Sequence, residues 1–198
     1  PVLDRMASEG ARLTDFYMAS PVCSPSRAAM LTGSYPLRVG FGGRSIDNAP
    51  VLFPGQAQGL HPDEITIARL LSDAGYATRL VGKWHCGEWL PEHLPMQQGF
   101  MHQYGHYAWG IDYYTKTIVH NAPARFAVYD WHRNQQPLKE EGYTTDLFAA
   151  AGVTHDETAA GYPRPFRATP SGGGLYPLEV FALANRVDGM APGLYHYD

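Results

Sequence analysis

Asp63-Glu64-Ile65-Thr66-Ile67-Ala68-Arg69-Leu70-Leu71-Ser72-Asp73-Ala74-Gly75-Tyr76-Ala77-Thr78-Arg79-Leu80-Val81-Gly82-Lys83-Trp84-His85 decides the fold class. The spacing of Ile65, Ala68, Leu70 and Leu71 predicts a helix over residues 63–74 with one apolar side. Gly75 stands where such a helix stops. Residues 76–81 then predict a strand. Helix, glycine and strand in that order is α/β grammar. Lys83 and His85 fall two apart at the end of the strand, which puts them on one side of it. Ligand sites of open α/β sheets lie at the carboxyl ends of strands.

Working outward, Val2, Leu3 and Met6 share a helical face, and Gly10 ends that helix. Residues 11–18 are extended in character. Pro25 suits a first helical position and Gly33 a C-terminal stop, so residues 25–32 predict a short helix. Residues 36–62 read as loop, residues 85–106 as irregular chain, and residues 112–120 as a strand. Thr144 is placed to cap a helix running through Ala151. Beyond Leu147 the texture changes: only three Lys or Arg remain, with no Cys or Trp. Residues 178–187 and 193–197 predict a hairpin, with Asp188-Gly189 and Pro192-Gly193 in its connection. Two segments follow from this, residues 1–146 and 147–198.

Composition narrows the function classes. The chain has 198 residues, 44% hydrophobic and 13% aromatic, which is enough to bury a core. Its 15 basic and 19 acidic residues leave a net charge of −4, against a nucleic-acid binder with a basic surface. No apolar run approaches the roughly 18 residues of a membrane-spanning helix, so neither nucleic acid nor membrane is an expected partner. Cys23 and Cys86 can form at most one disulfide and offer no C-x-x-C pair for a zinc ribbon. His85, Cys86, His93, His102 and His106 match no standard zinc spacing.

The residues with chemistry cluster twice. Cys23 precedes the short predicted helix, whose N-terminal amides and dipole favour an anion such as a sulfate or phosphate ester. Arg27 lies four residues on, over the same face of the first turn. With Lys83 and His85 they make a candidate anion site if the helix start and the strand end converge. On spacing alone, an ordinary buried cysteine and solvated strand-end side chains remain the competing account.

Two longer patterns carry a resemblance. Cys23-Ser24-Pro25-Ser26-Arg27-Ala28-Ala29-Met30-Leu31-Thr32-Gly33 resembles the first signature of type I sulfatases, C-x-P-S-R-x-x-x-L-T-G. Gly75-Tyr76-Ala77-Thr78-Arg79-Leu80-Val81-Gly82-Lys83-Trp84-His85-Cys86-Gly87 resembles the second, G-Y-x-T-x-x-x-G-K-W-H-x-G. Gln98-Gly99-Phe100 and Gly142-Tyr143-Thr144-Thr145-Asp146 add to it, so that the resemblance spans residues 1–146. It implies a partial alkaline-phosphatase/sulfatase-like mixed sheet with flanking helices. It implies conversion of Cys23 to formylglycine by a formylglycine-generating enzyme, and hydrolysis of a sulfate ester on a small molecule or glycan. The hydrated formylglycine would sit on a divalent metal, Ca²⁺ in most members, with Cys23 as a ligand. Arg27 would steady it, Lys83 would bind sulfate oxygens, and His85 would relay protons. The family's carboxylate metal ligands belong to segments not found in this sequence.

Residues 147–198 resemble another family. Pro170-Ser171-Gly172-Gly173-Gly174-Leu175-Tyr176-Pro177-Leu178-Glu179 is similar to the FMN-binding P-S-x-G-x-x-x-P-L-E region of nitroreductase-like oxidoreductases, of the thiazole/oxazole-modified peptide dehydrogenase type. That resemblance implies a small α+β piece, an FMN contact through Arg167, Pro170, Ser171, Gly172 and Gly173, and a homodimer. The sequence thus carries three readings: a sulfatase, an FMN oxidoreductase fragment, and an inactive join of two truncated segments. The first implies a periplasmic or secreted chain, the second a cytoplasmic one.

Overall fold

The computed structural model describes residues 2–10, 12, 14–43, 50–118, 128–153, 181–184 and 193–196. Among the described residues there are four α-helices, α1 (Val2–Glu9), α2 (Cys23–Thr32), α3 (Ile67–Asp73) and α4 (Thr144–Val153). The strands are β1 (Ala77–Lys83), β2 (His102–His106), β3 (His132–Arg133), β4 (Gln136–Pro137), β5 (Phe181–Ala184) and β6 (Gly193–His196). They form one six-stranded sheet in the order β4-β3-β2-β1-β5-β6. β1 and β2 are parallel and every other pairing is antiparallel, so the sheet is mixed, as expected.

β1 is the organising strand. Its neighbours in sequence, Leu80 and Val81, point to opposite faces. Leu80 enters a core with Ala28 and Leu31 of α2 and Ala68 of α3, closed by Phe41, Trp84 and Phe100. Val81 packs against a second cluster made by Tyr104, Ile111, Trp131 and Phe148, the last from α4. Helices therefore cover both faces. Trp84 is fully buried, edge-on to Phe100 with ring centroids 6.1 Å apart, and its Nε1 donates to the His93 carbonyl at 2.9 Å. This fixes the chain just beyond β1.

Several boundaries differ from the sequence expectation, each for a physical reason. α3 begins at Ile67 because the Thr66 hydroxyl accepts the Arg69 N–H at 3.1 Å and caps it. Ile65 and Leu70, expected on the apolar side, are both 57% exposed. β2 lies in chain that reads as irregular: His102-Gln103-Tyr104-Gly105-His106 has no apolar alternation to announce a strand. It is buried by pairing with β1, where Gly105 sits opposite Gly82. A Cβ at Gly105 would come within 2.2 Å of the Gly82 carbonyl oxygen, so the two strands need glycine there. The strand expected over 112–120 is not formed in its described part. Asp112 Oδ1 accepts the N–H groups of Tyr114 and Thr115, making a turn between bridging Ile111 and Ile118.

The change of texture at Leu147 falls inside α4, where Leu147 and Phe148 pack on the second cluster. The expected C-terminal hairpin forms as β5 and β6, but it extends the sheet of the first segment through Ala77–Leu183, Thr78–Ala182 and Arg79–Phe181 pairs. No helix of the described residues is long and apolar enough to cross a membrane.

Candidate active site

α2 starts two residues earlier than expected, with Val22 extended at its N-cap and Cys23 as its first helical residue. Pro25 is therefore the third helical position rather than the first. Its missing N–H costs nothing there, because the first turn has no carbonyl to receive it. Gly33 closes the helix with φ +65° and an N–H bond to the Ala29 carbonyl at 2.8 Å. Cys23 is half-buried in the first turn and Arg27 follows one turn on, buried.

The helix start and the strand end converge. Arg27 Nη1 donates to the Lys83 carbonyl at 2.8 Å. The Lys83 amine is near enough to Cys23 for the thiol to act on its charge. A third segment joins them: the Ser24 hydroxyl accepts the Leu52 N–H at 3.1 Å, and the Leu52 carbonyl accepts from His85 Nε2 at 2.9 Å. Cys23, Arg27, Lys83 and His85 are thus brought to one place from α2, the end of β1 and the turn beyond it. His85 has φ +59°, a left-handed backbone in which the alternation of β1 ends.

The electrostatics follow from two cations held in a buried place. Burial disfavours the charged Arg27 guanidinium, opposed by the nearby Cys86 and Cys23. The Lys83 amine is brought down to about 8, first by burial, then by the Arg27 charge, with the Cys23 contact working the other way. His85 is lowered to about 3 by burial and the Lys83 charge, so its ring is neutral at pH 7. A carbonyl only accepts, so Nε2 facing Leu52 carries the ring proton. Nδ1 is left as a buried lone pair with no hydrogen-bond partner. Cys86 is fully buried with its thiol 4.0 Å from the Ser24 carbonyl, and burial pushes it up to about 12.

Two site residues were not singled out by sequence for this role. His106 ends β2 in register with Lys83, buried. Its Nδ1 donates to the Ala108 carbonyl at 3.1 Å, and burial lowers it to about 4. Asp130 is buried and accepts the N–H groups of Tyr107 and Ala108. Burial raises its carboxyl, but His132, His106 and the two N–H groups outweigh this and hold it below the usual range. Glu88, near Asp130, is raised to about 7, mainly by burial and then by the Asp130 charge. The signal for His106 was its place at the end of a second parallel strand, legible only once β2 is known.

Among the described residues no group of three or more His, Cys, Asp or Glu is placed to hold a metal ion. The neighbours of Cys23 are the cations Arg27 and Lys83, which suit an anion. The described residues thus supply no carboxylate set for the divalent metal that the resemblance implies. Arg167, Pro170, Ser171, Gly172 and Gly173, the expected FMN contacts, lie outside the described residues.

The comparisons with known proteins agree with this geometry. The sulfatase family model matches residues 1–158. Human steryl-sulfatase is 46% identical over 110 residues, covering 53% of this chain and 19% of that protein. The N-acetylgalactosamine-6-sulfatase of Sus scrofa is 45% identical over 106 residues, covering 53% of this chain and 20% of that protein. This chain thus spans about a fifth of the length of the curated relatives it matches. The crystal structure of Ps i-CgsB is 29% identical with a TM-score of 0.60, covering 73% of this chain and 33% of that one. The family match covers both site-bearing elements, α2 and the end of β1, and the chain belongs to the sulfatase family.

Proposed function

We propose that the Cys23 end of α2, with Arg27, Lys83 and His85, is the nucleophile side of a site for sulfate-ester hydrolysis. The observation that carries this is the Arg27 bond to the Lys83 carbonyl, which ties the end of β1 to the start of α2 and sets two cations near a helix N-terminus.

The chemistry begins with Cys23 as formylglycine, hydrated to a gem-diol. One hydroxyl oxygen bonds to the ester sulfur while the bond from sulfur to the alcohol oxygen breaks, and the alcohol leaves with a proton. The second hydroxyl then gives up its proton; His85 Nδ1 offers a lone pair with no partner, but at about 3 it is too weak a base to hold that proton and can only pass it on. The carbon–oxygen bond to the sulfate breaks, sulfate leaves and the aldehyde returns. Lys83 and Arg27 balance the charge on the sulfuryl oxygens throughout. The relatives' names span a steroid and an amino sugar. The shared element is the sulfate ester, which is the group these cations suit.

The test is calorimetric titration of the full chain with an aryl sulfate. Saturable binding that inorganic sulfate competes away supports the reading, and no binding refutes it. The reading of residues 147–198 as an FMN-binding piece has its support in sequence resemblance, chiefly the Arg167 to Glu179 pattern. A purified chain carrying one flavin per molecule is the outcome that would promote it.

A further inference from the structure

His85 stands at the end of a chain of backbone bonds that leads to a buried carboxylate. Its N–H donates to the Tyr107 carbonyl at 2.9 Å, and the Trp84 N–H donates to the His106 carbonyl at 2.9 Å. These two bonds prolong the β1–β2 ladder past the ends of both strands. On the other side of the same residues, the Tyr107 N–H lies 3.0 Å from Asp130 Oδ1 and 3.1 Å from Oδ2. The Ala108 N–H donates to Oδ2 at 2.7 Å. His132 lies beside the carboxylate, with Nδ1 3.2 Å from Oδ1 but not aligned for a hydrogen bond, and its ring is stacked on Tyr107 at 4.3 Å. Asp130 is 4% exposed, so these amides have no water to turn to if it is removed.

We infer that Asp130 is a positioning residue for His85, acting through the backbone of Tyr107 and Ala108. The inference rests on the reading of His85 as a site residue. A non-glycine residue at φ +59° holds that backbone only where its surroundings impose it. Two anchors do so here: the Tyr107 carbonyl on the main chain and the Leu52 carbonyl on the ring. With Asp130 gone, the 107–108 segment loses its fixed place, and the His85 main chain loses the first anchor. The ring is then carried away from the Leu52 carbonyl by the shift of its own main chain, and its single tautomer is lost.

The experiment uses the full chain with ¹⁵N-labelled histidine, the His85 ring signals being assigned by their loss in His85→Gln. The wild type should show one neutral tautomer with the proton on Nε2. Asp130→Ala should give mixed tautomers and weaken aryl sulfate binding on the order of tenfold, the usual scale for loss of an orienting partner. Asp130→Asn keeps one acceptor oxygen and should shift the signals part of the way. Ile111→Ala, a cavity in the cluster beside Trp131, should lower the melting temperature and leave the His85 tautomer intact. An unchanged His85 signal in Asp130→Ala, or the same change in Ile111→Ala, overturns the inference. Should Asp130→Ala not fold, an Asp130→Asn spectrum identical to the wild type overturns it. The tautomer is read without substrate, so a failure of aryl sulfate to bind counts against the site reading and leaves this one standing.

Discussion

Lys83→Met is expected to weaken aryl sulfate binding by about tenfold to a hundredfold, and to remove its dependence on pH. The substitution keeps the length of the side chain and deletes the ammonium group near Cys23. A hydrogen bond to a charged group is worth about 1.5–3 kcal/mol, and each 1.36 kcal/mol is tenfold in affinity. The sign of the pH dependence follows from the lowered amine. With Lys83 brought down to about 8, the cation is present below that pH and lost above it. Affinity should therefore fall as pH rises through about 8, with the midpoint moving upward when ligand is bound, since a bound oxyanion holds the proton. The titration belongs in a Cys23→Ala background, so that no thiol contributes. An affinity unaffected by Lys83→Met would mean that the helix start alone recruits the anion.

The second large effect is on stability in mild acid. His85 and His106 are held neutral, at about 3 and about 4, while an unfolded histidine titrates near 6.5. A folded pKa below the unfolded one means that the unfolded chain takes up the proton first. Stability from these residues is full above pH 6.5 and is lost as pH falls from there toward 4 and 3. At pH 5.5 each costs about 1.4 kcal/mol, about 3 kcal/mol for the pair. Glu88 acts in the opposite direction, because its carboxyl, raised to about 7, gains stability as pH falls through that value. The difference between wild type and His106→Gln separates the two. Urea unfolding at pH 7.5 and 5.5 should show His106→Gln losing about 1.4 kcal/mol less than the wild type over that interval. Equal losses would place His106 in water rather than in the buried cation cluster.

What was legible in the sequence divides along physical lines. Helix, glycine and strand over residues 63–83 were legible because apolar spacing, a stop residue and a run of strand-forming residues all agree. Cys23, Arg27, Lys83 and His85 were legible as two clusters, since i and i+4 on a helix and the end of a strand are local facts. Their meeting was not, because it depends on Leu52 and on the reach of Arg27 to a carbonyl 56 residues away. β2 was hidden because its burial is carried by polar residues and a glycine. With it were hidden His106, in register with Lys83, and the role of Asp130, which acts on backbone amides and leaves no side-chain pattern. The 112–120 segment misled because Tyr and Thr favour strands, while Asp112 at its head makes a turn. The C-terminal hairpin was legible from its turn residues, but its place beside β1 was not, since an edge pairing leaves no mark on either strand alone.

The central claim is that Cys23 at the first position of α2 is the nucleophile position. Peptide mass spectrometry of the chain co-expressed with a formylglycine-generating enzyme tests it most directly. Cys23 lies half-exposed in the Cys23-Ser24-Pro25-Ser26-Arg27 pattern, whereas Cys86 is fully buried and lacks that pattern. The account predicts the aldehyde at position 23 and an intact thiol at Cys86. An unmodified thiol at Cys23, under conditions that convert a control sulfatase, would contradict it.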